Sequence, residues 1–495
     1  MRFGMSLVSA FMATTAIVCP YAASAETLPE AMQSAIEGNP SLAAARARVT
    51  AIRQELPLAW SEALPQISLS GSANQNNRSE QSPFATTVRE RPDYWIASVN
   101  TSTLLFGGGR VWASTREARG RIANAIANYQ GTAQQLLLDV ATAYAGVIAA
   151  RETKDAQQQS LENLEEQLRY VQANVEHGFL TQTDLAQARA RVAQARANLT
   201  QADLQLVQAS EAYTRLVGHP PGDLSLPPDI SGLPSDLEAA INYAGDNSPT
   251  LLAAMAAVET ADASVDVAAS QGRVRMSIDT TNSFFETMNR ANDTDATEDN
   301  VSLRVSVPLF SGGSIRAQTR QRRANRTAAR FDLADVQLEV RERVTIAWSA
   351  LHAARATVEA QEARLEAADI AQRGMQREQQ AGLRSTIDVL NQEEELLSAR
   401  VGLARAQRDM VVAQRELAAA VGNLNMVSFD DVAMSQRAID PRRTGRERRE
   451  EQRELTPLRE VRADVRQLRR EANRMPRHPR PVRVSSAETQ LLCDR

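Results

Sequence analysis

The side chains best suited to chemistry are few in this chain and poorly placed for it. Histidines stand at 177, 219, 352 and 478, and none has a metal-ligand spacing to another or to a nearby acid. Cys19 and Cys493 are the only cysteines, too few for a four-ligand zinc site or a disulfide framework. Gly107-Gly108-Gly109-Arg110 has the outline of a phosphate loop, but neither it nor its counterpart Ser311-Gly312-Gly313-Ser314 has the lysine and hydroxyl such a loop needs. No enzyme activity, cofactor or metal is expected. What remains is charge and capping chemistry at two sharp breaks. His177-Gly178-Phe179-Leu180-Thr181-Gln182-Thr183-Asp184 contains a glycine able to end one helix and an aspartate able to cap the next. The second break, Ala381-Gly382-Leu383-Arg384-Ser385-Thr386-Ile387-Asp388, repeats it.

Composition says what kind of scaffold must hold these breaks. Of 495 residues, 43% are hydrophobic, 23% charged and only 4% aromatic, and Lys154 is the single lysine among 56 basic residues. So few rings cannot fill several conventional cores, and the abundance of alanine and glutamine points to long helices packed through small residues. A mean hydropathy of −0.36 argues against a bundle of membrane-spanning helices. The strongly apolar run Phe3–Val18 follows Arg2 and leads to Ala23-Ser24-Ala25, so residues 1–25 read as a cleaved export signal. Cys19 follows Val18 and is a poor lipidation site. Residues 441–495 carry 16 arginines against 9 acids, with five prolines. They read as a disordered basic tail suited to anionic lipid or cell wall, and export argues against nucleic acid as its partner.

Between these ends the chain is a duplication. At an offset of 204 residues, Leu105-Phe106 meets Leu309-Phe310, Gly108-Gly109 meets Gly312-Gly313, Gly178 meets Gly382, Asp184 meets Asp388 and Val217-Gly218 meets Val421-Gly422. Upstream, Asn39-Pro40 matches Ser248-Pro249 at an offset of 209. A constant offset over so long a span means a repeated unit with strict length requirements. The organisation expected is a first repeat at 26–218, a linker at 219–234 with five prolines, a second repeat at 235–424, a connecting segment at 425–440 and the tail.

Each repeat moves from helix to strand pair to very long helix. Residues 27–60 and 235–270 read as helical. Alternating segments open at Ile67 and Leu69, run from Tyr94 to Leu105, begin at Val274, and run from Val301 to Leu309. Polar connections at Asn74–Asp93 and Glu286–Asn300 join them. Neither Asp93–His219 nor Leu309–Asp440 contains a proline, and residues 110–176 alone would make a helix of about 100 Å. Beyond the first break, Leu185, Ala188, Val192, Ala195, Leu199, Ala202, Leu206, Ala209, Tyr213 and Leu216 step by three and four. Val389, Gln392, Leu396, Ala399, Leu403, Ala406, Met410, Ala413, Leu417 and Ala420 repeat the pattern. A 3.5-residue seam is the mark of a coiled coil.

Strands of about ten alternating residues suit a membrane barrel. The aromatics gather near their ends: Phe84, Tyr94, Trp95, Phe106, Phe284, Phe285 and Phe310. Four strands cannot close such a barrel, and an open edge is not tolerated in lipid, so the chain must oligomerise; three copies give twelve strands. The competing reading is a non-conducting periplasmic coiled-coil protein, structural or adaptor, which leaves the symmetric strand pairs unexplained.

Val307-Pro308-Leu309-Phe310-Ser311-Gly312-Gly313 at the strand-to-helix joint and Ala381-Gly382-Leu383-Arg384-Ser385-Thr386-Ile387-Asp388-Val389-Leu390-Asn391 at the second break resemble the TolC family of outer-membrane channel tunnels, over roughly residues 26–430. The resemblance implies an α+β membrane protein: a homotrimeric twelve-stranded β-barrel, four strands per chain, continuous with a long periplasmic α-helical barrel. It implies localisation to the outer membrane with contact to its lipid. It further implies a passive exit duct in a tripartite export system, type I secretion or multidrug efflux. The partners would be a periplasmic adaptor and an inner-membrane ABC or proton-driven transporter. By position, Gly178, Phe179, Leu180, Gly382 and Leu383 correspond to the adaptor-facing tip. Thr183 and Asp184 correspond to residues that lock against an arginine, here Arg384. Asp388 supplies one ring of a cation-selective constriction. The family's second aspartate is Asn391 here and a lock tyrosine is Gln379, which implies weaker cation preference and a looser latch. Gly108, Gly109, Pro308, Gly312 and Gly313 form the joints.

Overall fold

The computed structural model describes residues 26–75, 79–80, 89–90, 94–230, 232–287 and 295–424. The expected export signal, connecting segment, tail and Phe84 lie outside them. Three short helices open the chain, α1 (Leu28–Gly38), α2 (Pro40–Arg53) and α3 (Glu55–Ser61). Strand β1 (Gln66–Asn74) follows, then the two-residue pair β2 (Ser79–Glu80) and β3 (Arg89–Glu90), then β4 (Tyr94–Phe106). The first long hairpin is α4 (Arg110–Glu176) and α5 (Gln182–Val217). The second half repeats the plan with α6 (Leu237–Asn247), α7 (Pro249–Ser270), β5 (Arg275–Thr287), β6 (Asp295–Ser306), α8 (Ser314–Gln380) and α9 (Thr386–Ala420). Helices α4 and α8 each hold 67 residues and start and stop exactly 204 positions apart.

Glycine makes this precision possible at the joints. Gly108 and Gly109 have φ of 62° and 85°, and Gly312 and Gly313 have 63° and 83°, the left-handed region open to glycine. The first joint is also packed: a Cβ on Gly108 would lie 2.6 Å from the Cβ of Arg273, whose Nη1 donates to the Gly108 carbonyl at 3.0 Å. Gly312 has no such neighbour within its own chain. A sequence difference does not explain this, because the glycines are duplicated. Position does: the first joint is interior to the chain and the second is at its edge.

The strands form one antiparallel sheet in the order β1-β4-β5-β6. Register places Ile67, Thr101, Thr280 and Val301 abreast on one face, with Leu69 beside Val99 and Ile278 beside Leu303. Ser68, Asn100, Thr281 and Asn300 lie abreast on the other, with Ser102, Asp279 and Ser302 in the next row. The first face is apolar and bare towards the helical joints, Ile67 being 72% and Leu69 78% exposed, with Asn282 donating to Asp299 at 2.7 Å nearer the loops. The second carries a ladder of side-chain hydrogen bonds. Ser102 donates to Asp279 at 2.6 Å, Thr281 to Asn100 at 3.1 Å and Asn100 to Ser70 at 3.3 Å. A sheet polar on one face and apolar on the other is what a water-filled bore in lipid requires.

The strand ends depart from the sequence reading. β6 stops at Ser306, not at Leu309, because Pro308 has no N–H for the ladder. Conversely, β5 extends to Thr287 and β6 starts at Asp295, so much of the polar Glu286–Asn300 connection is strand. The helical stretch 27–60 is broken at Gln54 as well as at Asn39-Pro40.

Among the long helices, α4 is an interior stave, packed against α5, α7 and α9. It buries 25 of its 67 residues, whereas α8 buries eight. On α8, Phe331, Leu338 and Ile346 stay exposed at spacings of seven and eight, an apolar stripe awaiting a neighbouring chain. The coiled-coil seam holds in both hairpins: every seam residue from Leu185 to Leu216 and from Val389 to Ala420 is buried or half-buried. Tyr144 and Tyr213 anchor the middle of the first hairpin. The Tyr144 hydroxyl lies 2.7 Å from the carbonyl oxygens of Glu26 and Ser225, and Tyr213 donates to the Glu26 carboxylate at 2.7 Å. The chain start and the linker are thereby tied to one level of the stave.

Gly120 is where α4 and α7 approach most closely. A Cβ there would lie 2.5 Å from Thr260 Oγ1 and 3.0 Å from its backbone nitrogen. Helix propensity alone gives Gly120→Ala a gain of about 1 kcal/mol. Overpacking against backbone costs about 1–3 kcal/mol and reverses the sign. We expect Gly120→Ala to lower the thermal midpoint of the detergent-solubilised protein; an increase would remove the close approach from the account.

Candidate functional site: the helical tips

The two tips have one construction. After α4, Gly178 turns left-handed at φ 81°, and the Phe179 N–H donates to the Asn174 carbonyl at 2.8 Å. After α8, Gly382 has φ 76° and the Leu383 N–H donates to Glu378 at 2.8 Å. These are glycine-terminated helix ends with the carbonyls of the last turn satisfied. Each return helix then starts with a reciprocal capping box. Thr181 Oγ1 accepts from the Asp184 N–H at 3.2 Å while Asp184 accepts from the Thr181 N–H at 2.9 Å and from its hydroxyl at 2.7 Å. Ser385 and Asp388 do the same, the hydroxyl donating at 2.6 Å. These bonds hold both aspartates below the usual carboxylate range, the side-chain bond from Thr181 or Ser385 contributing most. At the apex of each turn, Phe179 is 79% and Leu383 76% exposed, one large apolar side chain per tip at equivalent positions. Leu180 is half-buried against the first hairpin, and Thr183 is exposed.

The structure brings other expected residues to different partners. Arg384 donates from Nε to Glu378 of its own turn at 2.7 Å, which raises its already high pKa, and Asp388 adds a smaller attraction. Among the described residues of the chain no ion pair joins Arg384 to Asp184. Asn391 accepts from Arg191 of α5 at 3.0 Å, and Arg191 also pairs with Glu394. Gln379 is buried, and its Nε2 has no hydrogen-bond partner among the described residues.

A junction above the tips was not found from sequence. Glu393-Glu394-Glu395 is a run of three acids on α9, and successive helical residues point about 100° apart. Glu394 reaches Arg191 on α5, and Glu395 accepts from Arg364 on α8 at 2.8 Å. Glu393, only 4% exposed, accepts from Asn163 on α4 at 3.0 Å and Gln372 on α8 at 2.6 Å. Beside it, Leu390 is buried among Leu161, Leu164, Val192 and Ala195 of the first hairpin. One turn and a half of α9 thus binds all three other long helices. The triple acid is visible in the sequence, but the three-and-four stepping seam passes through Gln392 and does not single out Glu393.

An extended sheet ending in glycine joints, each joint opening a 67-residue stave of a double hairpin, defines the fold of an outer-membrane channel. The structure of the Campylobacter jejuni CmeC outer membrane channel is matched with a TM-score of 0.74 at 16% identity, covering 83% of this chain and 89% of that one. The family model described as outer membrane efflux protein matches residues 31–219 and 240–423, one segment per repeat, and the chain belongs to that family. Its relatives include the outer membrane efflux protein BepC of Brucella suis, 29% identical over 84% of this chain and 90% of that protein. The alkaline protease secretion protein AprF of Pseudomonas aeruginosa is 27% identical over 81% of this chain and 85% of that protein. The protein is therefore a transport component of the outer membrane with helices in the periplasm, not an enzyme.

Glu393 makes the junction pH-dependent. Burial pushes its carboxyl above the ordinary value of 4.5, against the opposing effects of Asn163, Ser160, Arg400 and Gln372. A raised pKa means the packed junction holds the proton more tightly than separated hairpins do. The stabilisation is present below 4.5 and lost as pH rises through the raised value. Hydrogen exchange at residues 160–164 and 390–394 should therefore quicken as pH rises above 4.5, and Glu393→Gln should flatten that dependence. Exchange equally pH-dependent in the variant, after correction for intrinsic chemistry, would assign the effect to another group.

Proposed function

We propose that three copies of this chain close a twelve-stranded barrel on a helical tunnel and give passive exit to substrates delivered by an inner-membrane transporter through a periplasmic adaptor. The observation that carries this reading is the sheet whose outer strands, β1 and β6, have no further strand partner among the described residues and whose joint-side rows present an apolar face. In lipid those edges must be closed, and further copies of the same sheet close them with no new element. Phe179 and Leu383 give the adaptor two apolar knobs per chain, six per trimer. The names of the relatives cover both protease secretion and efflux, and one duct serves either because the transporter selects the cargo. Contact with outer-membrane lipid follows from the bare face of the sheet.

The resting gate lies at the tips. Asp184, with Thr183 beside it, faces Arg384 of a neighbouring chain, and Asp388 lines the constriction with Asn391 one turn above. Asp184 also closes the capping box of its helix from the third helical position, so its two roles have to be separated. An asparagine there can still accept the Thr181 N–H through Oδ1 but has no charge. Asp184→Asn and Arg384→Ala should each raise closed-state conductance in planar bilayers, while Glu378→Gln, which frees Arg384 from its own turn, should lower it. An increase with Asp184→Ala but not with Asp184→Asn would reduce Asp184 to a cap.

Asp388→Asn similarly keeps its capping box in place while removing a ring of three charges. The reversal potential in a salt gradient should shift towards zero, by less than the loss of two such rings would give. An unshifted reversal potential would take Asp388 out of the constriction. Soluble periplasmic fractionation with no conductance would favour the coiled-coil alternative.

A further inference from the structure

At the loop end of the sheet, away from the helical joints, two aromatic pairs sit at one level on opposite faces. Trp95 and Phe284 have ring centroids 5.3 Å apart, and Tyr94 and Phe285 have theirs 4.9 Å apart. Register decides which face each occupies. Phe284 lies opposite Ala97, two residues along the strand from Val99, on the same apolar face as Leu69 and Val301. Phe285 lies opposite Ile96, on the face of Ser98, Asn100 and Thr281. Only the first pair is where a membrane-interface girdle belongs. The second places rings on the face that bears Ser98, Asn100, Asp279 and Thr281, and lipid does not account for it.

Resting on the trimeric-duct reading, we propose that Tyr94, Ile96 and Phe285 form a collar inside the outer mouth of the barrel that binds aromatic organic cations in transit. Twelve strands about 4.8 Å apart and tilted about 40° enclose a backbone cylinder about 24 Å wide, which three inward ring pairs narrow. The ring faces attract cations. Charge complements them: Glu298 lies on the same face, opposite Ser283 and one row inward from the Ala296–Phe285 pair. Ring and carboxylate together select a flat, positively charged solute over a compact inorganic ion. The site is specific to this mouth, because the rows below it, Ser98 with Ser283 and Asn100 with Thr281, offer only hydrogen bonds.

The test is block of single-channel current by tetraphenylphosphonium added on the loop side of a planar bilayer, with tetrabutylammonium as the non-aromatic cation. For the variant Tyr94→Ser with Phe285→Ser we expect higher conductance and about tenfold weaker tetraphenylphosphonium block, a loss of 1.4 kcal/mol, with tetrabutylammonium little affected. Phe285→Leu should weaken block while preserving trimer yield, and Glu298→Gln should weaken block by both cations. Trp95→Ser with Phe284→Ser should lower the yield and heat resistance of trimers and leave conductance and block unchanged. Block that survives the loss of Tyr94 and Phe285 in a conducting trimer overturns the collar, as does an effect carried by Trp95 and Phe284 instead. A wild-type protein that conducts nothing overturns the duct itself, which separates the two failures.

Discussion

The structure depends on one constraint, that a strand edge in hydrocarbon cannot go unpaired. Four strands of 9, 13, 13 and 12 residues are long enough to cross a bilayer but too few to curl onto themselves. Their outer edges can be satisfied only by another chain, so the protomer is unfinished by design. The same incompleteness continues downward. α4 is packed on three sides, while α8 shows an apolar stripe, and Gly312 has the backbone of Gly108 without its neighbours. An element at the edge of one chain is at the interior of the assembly. The low aromatic content fits this plan, because alanine-lined staves bring helix backbones close with only a few large anchors such as Tyr144 and Tyr213.

Duplication explains how one sequence makes two different environments. The left-handed glycines recur at 108, 109, 178 and 218 and at 312, 313, 382 and 422, each 204 residues later. These positions set where strand becomes helix, where the helix turns and where it ends. The side chains between them have diverged: buried positions crowd α4 and are sparse on α8. Backbone punctuation is thus under tighter demand than surface chemistry. A one-residue change in stave length would rotate the tip by about 100° relative to the sheet, and two staves of unequal length could not end at one level.

The sequence was most legible where period and punctuation carry the information. The repeat offset, both coiled-coil seams, the joints, the tips and the four-strand sheet all follow from spacing. Errors occurred where a single atom outweighs a pattern. Alternation continues through Val307 and Leu309, yet the missing N–H of Pro308 ends the ladder. Polar residues from Glu286 onward looked like loop, but in a barrel one face is solvated and polar strands are ordinary. Asp184 and Asp388 read from spacing as the N-caps, but Thr181 and Ser385 hold those positions and the aspartates close each capping box from the third helical residue. The partners of Arg384 and Asn391 were not, since each depends on which turn or helix approaches, and a linear spacing does not encode that. Asn391 in particular was read through its missing charge, whereas it accepts a hydrogen bond from Arg191.

Glu393 shows how the two hairpins are held in register. A heptad seam buries two positions per seven, enough to join two helices. α9 contacts α4 as well as α8, so its buried arc must be wider and takes in position 393. A carboxylate in that arc is costly unless its oxygens are matched, and Asn163 and Gln372 each match one. The cost of misplacing it is what fixes the register of the two hairpins, since sliding α9 by one turn would strand Glu393 against apolar neighbours. Apolar contacts at Leu390 would tolerate such sliding; the buried polar set does not. At the tips, by contrast, the ion pairs such as Arg384 with Glu378 are exposed and worth little individually, so the register of the hairpins is held at Glu393 rather than at their ends.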